Sequence, residues 1–335
     1  MALDLAIIMG STHTSVYLSG QGVALREPTI VAFGADTKKI KAAGFAALNM
    51  MGKTPDKISL VAPVAGGIIQ QPKIASQLLH EFILRLYPDS YILKPRVNAV
   101  VGIPAGLRRE DCETYYDVFA AAGVNGNIYL APKIMMAAVG LDLPVTSAQS
   151  SMVAILGGGT TEMAVMALSG ILSSASWGIT IGGEMMDRAI CDYVAGRYNL
   201  KIGLTMARKA KETAGSLFEN DMLAFRVRGM DLTAKIPGSA ELTADEIREI
   251  IAPYYLRIAD VVETAVNGCG PEISCDILRN GIYFAGGGAR MPGLQELLVK
   301  RLDLKINIAE SPEFSVIVGG GKLLKNRELL EDILS

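Results

Sequence analysis

The stretch from Val153 to Val165 constrains the fold of this chain more than any other. An apolar run of β-forming residues enters Gly157-Gly158-Gly159, Thr160 and Thr161 follow, and a second apolar run leaves. This pattern predicts a strand, a tight turn and a second strand. Glycine lets the backbone approach an anion closely, and successive N–H groups form a cradle for one. The stretch therefore indicates either a plain β-hairpin or a phosphate-binding turn.

The N-terminal residues 5–20 repeat this plan. There an apolar run enters Gly10-Ser11-Thr12-His13-Thr14, 147 positions before Gly157, and both copies close on Leu-Ser-Gly. A hairpin repeated at this distance indicates two related domains, each offering one turn to a ligand held between them. The duplication favours phosphate binding over a coincidence of hairpins. His13 either donates to a phosphate or faces solvent.

Composition excludes several classes of function. The chain has 335 residues, enough for two domains, and a formal net charge of −2, which argues against a nucleic-acid partner. Its four cysteines have no metal-binding or redox spacing, and they are interpreted as reduced core thiols. The only histidines are His13 and His80, so neither a catalytic triad nor a histidine metal site is expected. Without a signal peptide, the chain is expected in the cytoplasm.

The uncharged run from Met163 to Gly183 is long enough to cross a bilayer. It contains four glycines and turn-forming Leu-Ser-Gly, so consecutive strands of a buried sheet are predicted instead. Helices are predicted from Pro72 to Pro88, from 108 to 122, from 182 to 198, from 206 to 217 and from a capping box at Thr243 to Gly268. Strands are predicted at 97–103, 128–130 and 225–236.

The order of the motifs identifies a resemblance along nearly the whole chain. It is carried by the glycine turn at 157–162, by Ile181-Gly182-Gly183, by Gly286-Gly287-Gly288-Ala289 and by Val318-Gly319-Gly320-Gly321-Lys322. In this order they resemble the actin-like ATPase superfamily, and within it the bacterial MreB filament proteins.

The resemblance implies an α/β actin-like fold, with two duplicated domains of mixed sheets and flanking helices around a central nucleotide cleft. The first domain is expected at 1–148, with a small insertion at about 34–71. The second is expected at 149–335, with a small subdomain at about 188–242 and a C-terminal helix at about 319–335 that packs back on the first domain.

The same resemblance implies that ATP or ADP binds in the cleft. The two turns would grip the phosphates, Gly182 and Gly183 would close the site from a helix N-terminus, Lys211 would reach the ribose, and the turn at 286–289 would lie by the adenosine. The implied nucleotide-binding residues are Gly10, Ser11, Thr12, His13, Thr14, Gly157, Gly158, Gly159, Thr160, Thr161, Gly182, Gly183, Lys211, Gly286, Gly287, Gly288 and Ala289.

Three expected carboxylates are missing. Aspartates that organise hydrated Mg²⁺ in the superfamily fall on Ile8 and Ile155, and a glutamate that activates water falls on Lys133. Mg²⁺ prefers oxygen ligands, so two isoleucines offer it nothing. A protonated lysine cannot accept a proton from water near pH 7. No catalytic residue and no metal ligand are therefore assigned, and the sequence predicts a pseudo-ATPase whose hydrolysis is lost or very slow.

Three classes of function follow. The favoured one is a cytoskeletal filament protein for cell shape or intracellular organisation, assembling head to tail with itself or with a catalytic MreB paralogue. The alternatives are a non-filament adaptor or chaperone-like protein and an active ATP-hydrolysing enzyme. Tyr91, Ile92 and Leu93, with basic neighbours, resemble the apolar loop by which such proteins touch the inner face of the cell membrane, although a locally packed loop fits the same residues.

Overall fold

A computed structural model of the chain describes residues 2–34, 39–53, 57–86 and 95–334, with the side chains of 173–175 left aside. The chain forms two compact units. Unit 1 comprises Met1–Val153, Ala164–Ser176 and Phe314–Ser335, and unit 2 comprises Ala154–Met163 and Trp177–Glu313. The domain and subdomain limits expected from the sequence stay predictions.

The described strands are β1 (Ala2–Met9), β2 (His13–Leu18), β3 (Gly22–Pro28), β4 (Val31–Gly34), β5 (Ile40–Ala43), β6 (Ile58–Val61), β7 (Val64–Ala65), β8 (Ile68–Ile69), β9 (Arg96–Ile103), β10 (Ile128–Pro132), β11 (Ser151–Leu156), β12 (Thr161–Ala167), β13 (Gly170–Ile179), β14 (Leu200–Lys201), β15 (Ala224–Asp231), β16 (Pro237–Thr243), β17 (Ile282–Ala285) and β18 (Ile306–Ile308). The helices are α1 (Phe45–Leu48), α2 (Pro72–Leu84), α3 (Arg109–Ala121), α4 (Lys133–Gly140), α5 (Gly183–Tyr198), α6 (Leu204–Ala214), α7 (Ala244–Asn267), α8 (Pro271–Asn280), α9 (Leu294–Leu302), α10 (Ser315–Lys325) and α11 (Arg327–Leu334), with a 3₁₀ turn at Gly287–Arg290.

Two five-stranded sheets dominate the described chain. The first has the order β10-β9-β1-β2-β3, and the second has the order β13-β12-β11-β17-β18. In the first sheet β1 is parallel to β9 and antiparallel to β2, so the sheet is mixed as predicted. Smaller sheets have the orders β14-β15-β16, β5-β4-β6 and β7-β8.

The central strand β1 is covered on both faces. Its residues Leu5, Ala6 and Ile7 are fully buried. Leu5 and Ile7 belong to a core that also contains buried side chains of α2 and α3. Ala6 faces the other way, since a methyl group added to Gly320 of α10 would lie 2.7 Å from its Cβ. Unit 1 therefore has helices on both faces of its sheet, as its continuous apolar strand requires.

The C-terminal helix differs from its prediction at 319–335. The structure has two helices, α10 and α11, and α10 begins at Ser315, so Gly319-Gly320-Gly321 lies inside the helix. These glycines allow close packing, because a Cβ on Gly319 would overlap the backbone oxygen of Met136 in α4. Lys322 completes the contact by donating to Asp142 Oδ1 at 2.6 Å beyond the end of α4. Tertiary packing therefore overrides the usual association of glycine with helix ends.

Other predicted elements are recovered with shifted limits. The capping box is confirmed, since Thr243 and Glu246 bond reciprocally at the start of α7. The helix predicted at 206–217 is α6 at 204–214, which ends where Gly215 turns to an extended backbone. The strands predicted at 225–236 continue to 243, because the chain turns near Lys235 into β16. The uncharged run from Met163 onward lies in β12 and β13, and no described helix is long and apolar enough to cross a membrane.

Candidate nucleotide site

The first glycine turn joins β1 to β2 in unit 1. Gly10 N donates to His13 O at 3.0 Å, which closes a four-residue turn between the strands. Thr29 N donates to Thr12 O at 2.9 Å, and the Ser11 hydroxyl accepts a 3.2 Å bond from Gly67 N. The turn is thus held by β-sheet neighbours and by the β7–β8 connection.

The second glycine turn, in unit 2, has the same geometry. Gly157 N donates to Thr160 O at 2.9 Å, and β12 begins at the next residue. A side chain on Gly157 would meet Thr160 O at 2.7 Å, just as one on Gly10 would meet His13 O at 3.0 Å. The offset of 147 positions found in the sequence therefore relates two turns with the same closing hydrogen bond.

Thr14 and Thr161 occupy equivalent places at the starts of the second strands, and both are fully buried. The Thr14 hydroxyl bonds the Thr29 hydroxyl at 3.0 Å, and the Thr161 hydroxyl donates to Ile181 O at 2.8 Å. Both hydroxyl groups therefore have partners within their own unit. Backbone N–H groups of the turns are the more direct candidates for phosphate contact.

The start of α5 packs on the second turn. Gly183 N donates to Gly157 O at 3.1 Å, and Glu184 N donates to Gly158 O at 2.8 Å. A Cβ on Gly182 would lie 2.5 Å from Gly158 O, so glycine is required for this approach. The first N–H groups of α5 thus hold the turn in place, and the binding of nucleotide by Gly182 and Gly183 stays a prediction.

Lys211 lies directly beneath this contact. Its Nζ donates to Gly183 O at 2.6 Å and lies 2.6 Å from Asp187 Oδ1. The contact with Asp187 is an ion pair without the angle of a hydrogen bond. Arg208 Nε donates to the other oxygen, Asp187 Oδ2, at 3.0 Å. Asp187 is only 1 % exposed, so the two cations compensate a carboxylate that would otherwise be costly to bury.

The third glycine segment, Gly286–Ala289, meets the second turn as well. Gly286 has a φ of +86°, and its backbone and that of Gly288 pack against Leu156, the residue that precedes Gly157. Gly286 N donates to Pro312 O at 2.7 Å, and the buried Tyr255 hydroxyl donates to Gly288 O at 3.0 Å. In unit 2 the structure therefore brings together the second turn, the start of α5, Lys211 and the 286–289 segment.

Ile8 and Lys133 stand where two of the expected carboxylates are missing, and both lie beside Gly102 in unit 1. A methyl group on Gly102 would lie 3.1 Å from Ile8 Cγ1 and 3.1 Å from Lys133 Cγ. Both side chains therefore border the space that a side chain on Gly102 of β9 would fill. In unit 2, Ile155 is 8 % exposed.

With this geometry in place, comparison with known proteins identifies the family. A family model described as "MreB/Mbl protein" matches residues 2–332. The chain belongs to the MreB/Mbl family. The predicted actin-like fold is confirmed by a solved relative, MreB5 of Spiroplasma citri bound to AMPPNP. It superposes with a TM-score of 0.90 at 28% identity, covering 98% of this chain and 97% of that one.

Curated relatives of this MreB/Mbl protein carry consistent names. The cell shape-determining protein MreB of Escherichia coli K12 is 34% identical over 96% of this chain and 93% of its own length. The cell shape-determining protein Mbl of Bacillus subtilis 168 is 28% identical over 98% of this chain and 98% of its own length. A MamK double helical filament shares the fold at a TM-score of 0.81 and 20% identity.

In its described residues, this MreB/Mbl chain has no cluster of side-chain oxygen ligands for a magnesium ion. Ile8 and Ile155 supply no oxygen, and Lys133 is a cation where a carboxylate was expected. Within the described ranges no group of three or more histidine, cysteine or acidic residues could hold a metal ion. The residues present therefore do not fit a metal held by side chains.

The sequence did not identify Asp187, Tyr255 and Gly102, which contact the residues of the candidate site. Asp187 continues the apolar stripe of Ile190 and Val194 along α5, and a lone acid on such a stripe is a recognisable signal for a buried pair. Tyr255 and Gly102 gave no such signal, because their roles depend on elements distant in sequence. The membrane candidates Tyr91, Ile92 and Leu93 lie outside the described residues.

Proposed function

We propose that this MreB/Mbl protein binds ATP or ADP through its glycine turns, assembles head to tail into filaments that serve cell shape, and hydrolyses nucleotide very slowly or not at all. The proposal rests on one observation: the glycine turns are formed, but the carboxylates expected beside them are absent. Both turns keep their closing hydrogen bond, while Ile8, Ile155 and Lys133 occupy the positions of the expected carboxylates.

Nucleotide binding is supported by the solved relatives. MreB5 of Spiroplasma citri has been crystallised with AMPPNP and, at 27% identity to this chain, with ADP. The glycines that shape the turns, Gly10, Gly157 and Gly182, are all present here, and a side chain at any of them would meet a backbone oxygen. The glycines on which backbone recognition of phosphate would depend are therefore present.

Slow or absent hydrolysis follows from the chemistry of Lys133. Attack of water on a phosphate is assisted by a group that accepts its proton, and a lysine ammonium has no lone pair to do so. Its positive charge can still stabilise phosphate oxygens, so binding and hydrolysis are separable in this protein.

The test compares polymerisation with phosphate release. Purified protein is sedimented and viewed by negative-stain microscopy with ATP, with ADP and without nucleotide, while released phosphate is measured in Mg²⁺ buffer. Filaments that pellet without phosphate release above background are expected. Release at the rate of ordinary actin-like ATPases would show an active enzyme, and failure to pellet under all conditions would favour an adaptor. If the protein pellets only when a catalytic MreB paralogue is present, it forms filaments together with that paralogue.

We further propose, from the sequence, that Tyr91, Ile92 and Leu93 insert into the inner face of the cell membrane, with Lys94 and Arg96 near anionic head groups. The test is flotation with anionic liposomes of the wild type and of an Ile92→Asp, Leu93→Asp variant. Loss of flotation in the variant is expected, whereas equal flotation of both proteins would remove the membrane assignment.

A further inference from the structure

We infer that this protein binds the nucleotide polyphosphate without a divalent cation, and that the ammonium group of Lys133 supplies positive charge in its place. The inference rests on the proposed nucleotide binding and adds which ionic form of the ligand the site takes: the metal-free nucleotide anion.

The strand register brings Lys133 to the first turn. Ile8 of β1 pairs with Gly102 of β9, and Gly102 pairs on its other side with Ala131 of β10. Lys133 follows β10 as the first residue of α4. Gly10 follows Ile8 by two residues, about 7 Å along an extended chain. Lys133 and the turn therefore lie at the same end of three neighbouring strands, with β9 between β1 and β10.

The packing around Gly102 suits a lysine. Ile8 Cγ1, Lys133 Cγ and Met136 Sδ surround the place where a Cβ of Gly102 would be, at 3.1, 3.1 and 3.0 Å. Lysine buries its hydrocarbon stem on apolar surface and keeps the charged end in a polar environment. Ile8 and Met136 thus provide apolar surface around the space beside the lysine stem, and the two departures from the family pattern border the same space.

Electrostatic repulsion then disfavours a divalent cation at the phosphate oxygens that Lys133 contacts. A divalent cation beside an ammonium group would be repelled, and Ile8 and Ile155 offer no oxygen ligand that would offset this repulsion. An ammonium group binds phosphate oxygens as a point charge, and the N-terminal end of α4 adds a favourable partial charge. Lys133 also takes part in another interaction in the structure, and its three N–H donors allow it to contact phosphate in addition or in exchange.

The experiment is calorimetric titration of the full chain with ATP and with ADP, in EDTA and in excess Mg²⁺. For the wild type, a Kd in EDTA that equals or is below the Kd in Mg²⁺ is expected. Lys133→Gln should weaken binding in EDTA about tenfold or more, because a charge-assisted contact to phosphate is lost. Lys73→Gln, on the exposed start of α2, is the matched control and should leave the Kd unchanged.

The outcomes separate the two proposals. Nucleotide binding that requires Mg²⁺, or binding in EDTA that Lys133→Gln leaves intact, would overturn the metal-free inference while the proposed function stands. No binding in either buffer would overturn the proposed nucleotide binding itself. Lys133→Arg keeps the charge, so its retained affinity in EDTA would confirm the electrostatic role if Lys133→Gln proves unstable by circular dichroism.

Discussion

Thr14 and Thr161 illustrate at the residue scale how the two glycine turns are built. Each threonine is fully buried and satisfies its hydroxyl group inside its own unit, Thr14 with Thr29 and Thr161 with Ile181 O. A buried hydroxyl without a partner would be destabilising, so these bonds fix the root of each turn. The threonines therefore support the turns through hydrogen bonds inside their own units.

Lys211 has a similar supporting role, and its substitution is informative. Lys211→Met leaves Asp187 buried with Arg208 as its remaining cation and removes a donor to Gly183 O. Since breaking a buried ion pair is strongly destabilising, we expect the free energy of unfolding to fall by about 2 to 3 kcal/mol. Urea unfolding followed by circular dichroism measures it.

The matched control is Lys209→Met, because Lys209 is exposed on the same helix. It should change the unfolding free energy little. Combining Lys211→Met with Asp187→Leu removes the buried charge and should recover part of the loss. A Lys211→Met protein as stable as the control would contradict the supporting role.

At the element scale, α10 shows how a glycine run can stabilise a helix pair. Gly319 packs so closely on α4 that a methyl group would overlap Met136 O. Gly319→Ala should therefore lower the free energy of unfolding by about 3 kcal/mol through overpacking of two helix backbones.

Gly196→Ala is the matched control for this substitution. Gly196 lies in α5, and beyond its chain neighbours and the nearby backbone of its own helix no atom lies within 4 Å of an added methyl group. Alanine there should stabilise the protein by about 0.5 to 1 kcal/mol, because glycine is a poor helix former. Thermal and urea unfolding of both variants give the comparison, and equal effects would mean that helix propensity, not packing, governs α10.

The contact between the end of α5 and the start of α7 predicts a pH dependence. The Tyr198 hydroxyl donates to Glu246 Oε1 at 2.6 Å, and Tyr193 donates to the same oxygen at 3.0 Å. The hydrogen bond to Glu246, aided by burial, raises the pKa of Tyr198 from 10.0 to about 12. Burial would raise the pKa of Glu246, but hydrogen bonds from Thr243, Tyr198 and Tyr193 outweigh it, so the pKa is lowered from 4.5.

The sign of each effect follows from linkage. A tyrosine with a raised pKa in the folded state contributes stability that is complete below pH 10 and is lost between about pH 10 and 12. The Glu246 contribution is present above its ordinary pKa of 4.5 and is lost as the pH falls further.

Tyr198→Phe should therefore be less stable than wild type at pH 9, and the difference should shrink by pH 12. Urea midpoints across this range test it, with the exposed Tyr116→Phe as control; a constant difference would contradict the assignment.

At the scale of the whole molecule, the proposed nucleotide binding uses both glycine turns, one in each unit. We expect saturating ADP to slow backbone hydrogen exchange in peptides that contain residues 10–14 and in peptides that contain 157–161, since ligand binding stabilises the states it contacts. Helix α8 serves as an internal reference whose exchange should not change. Protection in only one of the two turns would mean that the units do not act together on the nucleotide.

Local sequence patterns predicted the features that depend on neighbours in the chain. The hairpins around Gly10 and Gly157, the capping box at Thr243 and the helix after Pro72 each follow from a few adjacent residues, because turn chemistry and capping act over three or four positions. The limits of α6 and α10 were less predictable, since Gly215 and Gly319 have backbone roles that depend on contacts with other elements.

The sequence alone determined the family, the actin-like fold and the absence of carboxylates at Ile8, Ile155 and Lys133, because glycine turns and residue identities are local properties. Only the tertiary structure decided which other residues they lie beside. Ile8 and Lys133 are 125 positions apart, and they border the same space beside Gly102 because β1, β9 and β10 pair in one register. Likewise Lys211 meets Asp187 and Gly183 only when α5 packs against α6. Burial and pairing are set by the whole fold, and no local pattern contains them.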